Sequence, residues 1–234
     1  MSTLDDATPR ACIFDCDGTL LRSMGMWLDA EPAVLATYGY ETTSDDFHEF
    51  EPLSVADACE GYHRKWGVGK DGSEVYDRLM GILRDGYRTK VTCREGVPAF
   101  IEELDRAGVP MAIATSTPAP LVRNGLAANG LDRYFDIIVT TADAGASKDH
   151  PDVYDLALER LCSSRGIAVP PRESVWVFED AVFGLISSGA AGYRRVGIYD
   201  VEGRQAREDV FANCEIGVDE FSELSLATLR AYGE

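Results

Sequence analysis

Short apolar runs alternate with amphipathic segments through most of the chain. Runs with the length and composition of buried strands cover residues 11–15, 109–115, 137–141, 175–179 and 195–199. Between the later runs, apolar residues at helical spacing predict helices over 97–107, 120–129, 151–162 and 181–192. Strands that alternate with helices form a parallel sheet covered on both faces. We therefore predict a doubly wound α/β fold, whose ligands bind beyond the carboxyl ends of the strands.

One stretch, residues 21–89, interrupts the alternation. It contains no convincing apolar strand, and its spacing predicts amphipathic helices at 27–38, 55–66 and 74–87. Because it directly follows the first strand, we expect a helical cap over the end of that strand. The predicted domains are a Rossmann-like core of residues 1–20 and 90–234 and an inserted cap of residues 21–89. Beyond residue 199 the pattern weakens to a short strand at 215–218 and a helix at 220–231.

The composition is globular but strongly acidic. Hydrophobic residues make up 45% and charged residues 26%, and the formal net charge is −18. This charge argues against nucleic acid or an anionic membrane as a partner, since both are bound by basic surfaces. The six cysteines have no zinc-type or redox spacing, and no run is apolar enough for a signal peptide or a membrane span. We expect a monomer in the reducing cytoplasm.

Acidic, hydroxyl and basic side chains lie at or just beyond the ends of the predicted strands. They are Asp15, Asp17, Thr115, Lys148, Glu179 and Asp180. Because the carboxyl ends of parallel strands share one edge of a sheet, we expect these side chains to meet in the ligand crevice. A single acid in such a place more often caps a helix or a loop. Four carboxylates beside one ammonium favour a divalent-metal site, and Mg²⁺ prefers such oxygen ligands.

The segments around these residues resemble the four motifs of the haloacid dehalogenase (HAD) superfamily. They are Phe-Asp-Cys-Asp-Gly-Thr-Leu at 14–20, Thr115, Lys148, and the run that begins Val-Phe-Glu-Asp-Ala at 177–181. One Asp-x-Asp pair alone is a weak signal, whereas four motifs in order are specific. The similarity spans roughly residues 10–200, and the cap-sized insertion is similar to that of the beta-phosphoglucomutase-like branch, which carries a small helical (C1-type) cap.

The resemblance implies phosphoryl transfer through an aspartyl-phosphate. Asp15 would be the nucleophile that attacks phosphorus. Asp17 would protonate the departing alcohol and then activate water against the acyl phosphate. Thr115 would hydrogen-bond the phosphoryl oxygens, and Lys148 would neutralise charge on the phosphoryl group and on Asp15. Such a division of roles suits phosphoryl transfer, in which positioning and charge stabilisation dominate.

The resemblance also implies a Mg²⁺ site and a set of substrate contacts. The ion would be held by the Asp15 carboxylate, the Asp17 backbone carbonyl and Asp180, with Glu179 bound directly or through water. The predicted substrate-binding residues are Gly18, Thr19, Ser116, Arg22 and Trp27. Gly18 permits the turn that brings Asp17 round to the phosphate. Arg22 would meet a substrate anion or lie solvated on the surface, and Trp27 would stack on a substrate ring or pack in the core.

Departures from the mutases of this branch favour a hydrolase. Trp27 occupies the position of their cap histidine, and no arginine follows Ser54 in the loop where theirs supplies a phosphate-binding arginine. The leading hypothesis is therefore a Mg²⁺-dependent phosphatase for a small phosphorylated metabolite such as a sugar phosphate. A beta-phosphoglucomutase-type mutase is the alternative. A phospho-accepting signalling domain fits less well, because Asp17 provides rapid hydrolysis and such domains have no cap.

Overall fold

The apolar runs form strands in the computed structural model, which describes residues 7–232. The strands are β1 (Ala11–Phe14), β2 (Leu21–Arg22), β3 (Thr92–Cys93), β4 (Met111–Thr115), β5 (Ile138–Thr140), β6 (Val175–Glu179), β7 (Arg194–Ile198) and β8 (Ile216–Val218). Six of them pair in parallel in the order β5-β4-β1-β6-β7-β8. The predicted parallel α/β fold is therefore confirmed.

Most helices pack around this sheet, whereas the first three belong to an insertion. The helices are α1 (Met24–Ala36), α2 (Val55–Trp66), α3 (Gly72–Thr89), α4 (Val97–Arg106), α5 (Ala119–Ala128), α6 (Thr141–Ala144), α7 (Asp152–Arg165), α8 (Val182–Ala190), α9 (Arg207–Ala212) and α10 (Leu226–Ala231). Successive side chains of a strand point to opposite faces. Accordingly, Phe14 of β1 packs in the cluster that contains Phe100 of α4, and Ile13 packs in the cluster that contains Leu158 of α7. Burial on both faces explains why the strands read as continuous apolar runs.

The central strand β1 marks the switch point of the sheet. From β1 the strands β4 and β5 follow in one direction, and β6, β7 and β8 follow in the other. Such a reversal opens a crevice beyond the carboxyl end of the central strand. The rings of Phe14 and Phe178, paired in register on β1 and β6, stack with centroids 4.3 Å apart immediately before that crevice. Residues that follow these two strands therefore start from a rigid, apolar base.

A helical insertion (residues 24–89) separates β2 from β3. It consists of α1, a 3₁₀ helix at Ser44–Phe50, α2 and α3. β2 and β3 pair antiparallel and form a short ribbon where the chain enters and leaves the insertion. The ribbon was not predicted, because strands of two residues have no detectable alternation. The division of the chain into a core domain and a cap domain stays a prediction.

The C-terminal segment differs in detail from its prediction. The helix expected over 220–231 is a 3₁₀ helix at Phe221–Glu223 followed by α10, and α9 was not expected. Extended backbone at Leu224 and Ser225 separates the two helical pieces, and the Ser225 side chain caps α10 by accepting from the Thr228 N–H. Within residues 7–232, no helix has the length and apolar content needed to cross a bilayer.

Candidate active site

Three buried acids meet where β1 and β6 end. Asp15 follows β1, Glu179 is the last residue of β6, and Asp180 follows it. The Asp15 N–H donates to the Phe178 carbonyl over 2.9 Å, which extends the strand pairing to the site itself. One carboxylate oxygen from each acid lies within 4.8 Å of the other two. The sheet register therefore brings these predicted residues together.

Lys148 lies between two of these acids. Its Nζ donates to Asp15 Oδ1 over 2.6 Å and to Glu179 Oε1 over 2.7 Å. The loop that carries Lys148 is fixed at both sides, since its carbonyl accepts from the Ser187 hydroxyl and its N–H donates to the Pro52 carbonyl of the helical insertion. We call Asp15, Lys148, Glu179 and Asp180 the Lys148 cluster. Three carboxylates against one ammonium leave two negative charges uncompensated.

Burial and the excess of negative charge shift the pKa values in the Lys148 cluster. Burial raises the pKa of Asp15 to about 8, against the attraction of Lys148 and with repulsion from Glu179 and Asp17. Burial also raises the pKa of Glu179, and it raises that of Asp180 well above its usual range with further repulsion from Glu179 and Asp15. Burial lowers the pKa of Lys148, but its carboxylate partners together raise it well above its usual range. A bound cation relieves this kind of repulsion.

The residues present fit a divalent cation. Three carboxylates converge, and Glu179 Oε2 is buried without a hydrogen-bond partner among the described residues. The Thr19 hydroxyl orients Asp180 by donating to its Oδ1 over 3.0 Å. Gly18 has φ +81°, and a Cβ there would lie 2.3 Å from Asp180 Oδ2, so the turn requires glycine. Converging hard oxygen donors in a buried, negative site are the chemistry of a Mg²⁺ centre.

Asp17 lies outside this group of acids and is held by the helical insertion. Its Oδ1 accepts from the hydroxyls of Ser23 and Tyr87. The Tyr87 hydroxyl in turn accepts from the Trp27 indole N–H over 2.7 Å. Asp17 lines the pocket, and its Oδ2 is buried without a partner within the described part of the chain. One carboxylate oxygen is therefore fixed, and the other is available to a ligand in the pocket.

The hydroxyl residues after β4 line the same pocket. The Thr115 hydroxyl accepts from the Thr117 N–H over 3.1 Å, which shapes the turn that follows β4. Ser116 Oγ is buried, and no described residue hydrogen-bonds it. A buried hydroxyl without a partner is a ready donor to a phosphoryl oxygen. The predicted residues Thr115 and Ser116 are thus placed beside Asp15, Asp17 and Lys148 in one lining.

Of the five predicted substrate contacts, Gly18, Thr19 and Arg22 are not among the residues that line the pocket, and Trp27 serves two purposes. Arg22 forms an ion pair with Glu220 and is not among the residues that line the pocket. Trp27 lines the pocket but is only 9% exposed, so it packs in the core and also faces the ligand space. Sequence reasoning missed Arg94, which is 2% exposed and donates to the Gly18 carbonyl over 2.8 Å. Nothing in the sequence around Arg94 distinguished it from a hinge residue.

A second buried group of charges lines the pocket, and the sequence did not predict it. Arg204, in the loop after β7, donates to Glu31 Oε2 over 2.5 Å and to Glu51 Oε1 over 2.8 Å. The side chains of Arg204, Glu31 and Glu51 are 9%, 11% and 12% exposed. Gln205 donates to Glu51 Oε2 over 3.0 Å. We call Glu31, Glu51, Arg204 and Gln205 the Arg204 cluster; it joins the helical insertion to the rest of the molecule.

Apolar side chains complete the pocket. The ones contributed by the helical insertion are Met24, Trp27, Phe50, Leu53, Val55, Ala58, Tyr62 and Leu79. Together with the two charged clusters they enclose the pocket. Its sheet side is lined by the Lys148 cluster and Asp17, and its insertion side is mainly apolar. Small-ligand sites commonly combine an apolar lining with a few placed polar groups.

Comparison with known proteins gives related sequences and structures. The model of the haloacid dehalogenase-like hydrolase family matches residues 12–198. The phosphorylated carbohydrates phosphatase of Thermotoga maritima is 28% identical over 200 residues, which cover 80% of this chain and 83% of that protein.

Solved structures share the fold. The structure of CbbY from Rhodobacter sphaeroides in complex with phosphate has a TM-score of 0.78 and 24% identity, covering 94% of this chain and 99% of that one. The structure of beta-phosphoglucomutase from Clostridium difficile has a TM-score of 0.77 and 14% identity, covering 96% of each chain. At these identities the likeness is one of fold.

Proposed function

The chain belongs to the haloacid dehalogenase-like hydrolase family as a phosphoric monoester hydrolase, and we propose that it is a Mg²⁺-dependent phosphatase for a small phosphomonoester. The resemblance identified from the four motifs is thereby confirmed. The observation that carries the proposal is the Lys148 cluster, which shares one pocket with Asp17. It supplies a nucleophile, a cation and a metal site within a few ångströms.

In the proposed first step, a carboxylate oxygen of Asp15 attacks phosphorus. A bond forms between that oxygen and phosphorus, the bond from phosphorus to the ester oxygen breaks, and Asp17 Oδ2 delivers a proton to the departing alcohol. Lys148 neutralises developing charge on the phosphoryl group, and the hydroxyls of Thr115 and Ser116 bind its oxygens. Lys148 already contacts Asp15 over 2.6 Å, so no rearrangement is needed to place this charge.

In the proposed second step, water attacks the acyl phosphate. Asp17, now ionised, takes a proton from the water as its oxygen bonds to phosphorus, and the bond to Asp15 breaks to release phosphate. The hydroxyls of Ser23 and Tyr87 hold Asp17 in one orientation for both steps. The two carboxylates therefore have separate roles because Asp15 contacts Lys148, whereas Asp17 contacts uncharged donors.

Asp15, Glu179 and Asp180 would hold Mg²⁺, which when bound supplies positive charge that offsets the charge of the phosphoryl group. Thr19 and Gly18 position Asp180 for this role, the first through its hydroxyl and the second by leaving room for the carboxylate. Lys148 bridges Asp15 and Glu179 and so offsets part of the repulsion between these two acids.

The helical insertion limits the size of the substrate. Its side chains form most of the apolar lining, and Pro52 contacts the Lys148 loop directly. A site enclosed in this way excludes water during the reaction and excludes a phosphorylated protein surface. The name of the Thermotoga relative, a phosphorylated carbohydrates phosphatase, supports a sugar phosphate or a similar metabolite. A monomer in the cytoplasm stays a prediction.

The test is phosphate release from a panel of sugar phosphates and nucleotides with Mg²⁺. Wild type should release phosphate from at least one of them, and Asp15→Asn should release none. Asp136→Asn is the matched control, because this exposed acid precedes β5 and so lies at the opposite edge of the sheet. An Asp15→Asn variant as active as wild type would exclude the proposal. Isomerised sugar phosphate in place of free phosphate would favour the mutase.

A further inference from the structure

The Arg204 cluster carries an excess of negative charge into the substrate pocket. Glu31 and Glu51 both bind the single guanidinium of Arg204, and all three groups are largely buried. Two carboxylates against one guanidinium leave one more acid than permanent cation on this part of the lining. The His48 imidazole, 66% exposed, also contacts Glu51 Oε1 over 3.3 Å from the surface side. Burial of Glu31 raises its pKa, and Arg204 opposes that rise. The cluster therefore differs from a phosphate-binding site, where basic groups outnumber acids.

The cations that line the pocket are already occupied. Of the described residues in the lining, Lys148 and Arg204 are the ones that carry positive charge. Lys148 binds Asp15 and Glu179, and Arg204 binds Glu31, Glu51 and the Ser44 carbonyl. A second anionic group on a substrate would thus face carboxylates without a cation to pair with. Like charges brought together out of water are strongly disfavoured.

The same cluster suits hydroxyl groups. Each carboxylate oxygen accepts up to two hydrogen bonds, and Glu31 Oε1 has one donor, the Tyr62 hydroxyl, over 3.3 Å. Arg204 Nε is buried without a partner among the described residues, so it has a hydrogen to donate. A hydroxyl both donates and accepts, and it carries no charge. It can therefore use the spare acceptors of Glu31 and Glu51 and the spare donor of Arg204 together.

We infer that the alcohol portion of the substrate is uncharged and hydroxylated, and that the Arg204 cluster makes the enzyme discriminate against bisphosphates and phosphorylated carboxylic acids. The inference rests on the proposed phosphatase function and specifies its substrate class. Glu31, Glu51 and Arg204 act here as specificity-determining residues. They take no part in the steps at phosphorus, which belong to the Lys148 cluster and Asp17.

The experiment measures kcat/KM with Mg²⁺ on matched pairs of esters. Fructose 6-phosphate is compared with fructose 1,6-bisphosphate, and glycerol 3-phosphate with 3-phosphoglycerate; p-nitrophenyl phosphate reports the chemistry alone. Wild type should prefer the member without a second anionic group, fructose 6-phosphate or glycerol 3-phosphate, by at least about tenfold. The double variant Glu31→Gln/Glu51→Gln frees Arg204 from both carboxylates, and its preference should fall at least about tenfold.

Glu49→Gln is the matched control for charge. Glu49 belongs to the same segment of the insertion as Glu51, but it is 62% exposed and pairs with Lys65 at the surface. Its removal should leave the preference unchanged. Equal wild-type turnover of the esters with and without a second anionic group would overturn the inference and leave the phosphatase proposal intact. No release from any ester, including p-nitrophenyl phosphate, would overturn both. The wild-type comparison decides the matter even if the double variant does not fold.

Discussion

The Lys148 cluster and the Arg204 cluster line one pocket, and each places one cation between two buried carboxylates. They differ in what surrounds that arrangement. In the Lys148 cluster a third acid, Asp180, forms no ion pair with a described residue, and Glu179 Oε2 has no hydrogen-bond partner among them. In the Arg204 cluster, Gln205 and Tyr62 share the carboxylate oxygens, and one excess charge remains.

On the proposed roles, the same ion-pair arrangement serves chemistry in one cluster and substrate recognition in the other. Excess negative charge and unsatisfied oxygens prepare the Lys148 cluster for a cation and a phosphoryl group. In the Arg204 cluster positive and negative charges nearly balance, and some hydrogen-bond donors and acceptors are unused. We infer that these features suit uncharged polar groups of a substrate. Their supports differ too, because the acids of the first follow paired strands, whereas those of the second come from a helix and a connecting segment.

Removing each cation is the strongest test of whether the two clusters have separate roles. Lys148→Met should lower kcat/KM on p-nitrophenyl phosphate by about 10³-fold, since it removes charge that stabilises the transition state. Arg204→Met should lower it by no more than about tenfold. Both changes leave buried carboxylates unpaired and should reduce the free energy of unfolding by about 3–5 kcal/mol, which urea denaturation measures. Equal losses of activity would show that the clusters do not have separate roles.

Removing one tyrosine hydroxyl beside Asp17 and one beside the Arg204 cluster should give a smaller difference in activity. Tyr87→Phe loses the hydrogen bond that holds Asp17, and Tyr62→Phe loses the one that Tyr62 donates to Glu31. Tyr87→Phe should lower kcat by about 10–10²-fold with little change in KM, because Asp17 acts in both proposed proton transfers. Tyr62→Phe should instead change the preference between substrates with and without a second anionic group. A Tyr87→Phe enzyme with wild-type kcat would remove Tyr87 as a positioning residue.

Metal binding should distinguish the clusters by stability alone. Mg²⁺ at about 100 times its Kd should stabilise wild type by about 2.7 kcal/mol, seen as a rise of about 5–11 °C in Tm. Asp180→Asn should abolish most of the shift because it removes one of the three converging carboxylates. Glu31→Gln removes a buried acid of the other cluster and should keep the shift. A shift lost in Glu31→Gln and kept in Asp180→Asn would place the ion elsewhere.

The site residues at the ends of strands could be predicted from the sequence. Asp15, Glu179 and Asp180 follow long apolar runs, and parallel strands bring their carboxyl ends to one edge. Their convergence depends only on the fold class, so it could be expected before any coordinates. Lys148 was expected in the crevice because it follows the third predicted strand, and the structure places its ammonium 2.6 Å from Asp15.

The contacts made by residues in loops and in the helical insertion could not be predicted in the same way. Arg204 meets Glu31 and Glu51 across more than 150 positions of the chain, and no periodic pattern links a loop to a helix so distant. Tyr87 reads as an ordinary apolar residue of α3 until the packing of the insertion brings its hydroxyl to Asp17. Arg22 was expected to meet a substrate anion or to lie solvated on the surface, and its ion pair with Glu220, almost 200 positions away, could not be predicted from the sequence.

The proposed function requires that Asp15 becomes covalently phosphorylated. Wild type is mixed with p-nitrophenyl phosphate and Mg²⁺, quenched with acid within milliseconds, reduced with borohydride and analysed by peptide mass spectrometry. The good leaving group makes the first step fast, so the acyl phosphate accumulates before water attacks it. We expect the reduced residue at position 15 alone, and none in Asp15→Asn. Reduction at Asp17, or unmodified Asp15 while phosphate is being released, would contradict the account.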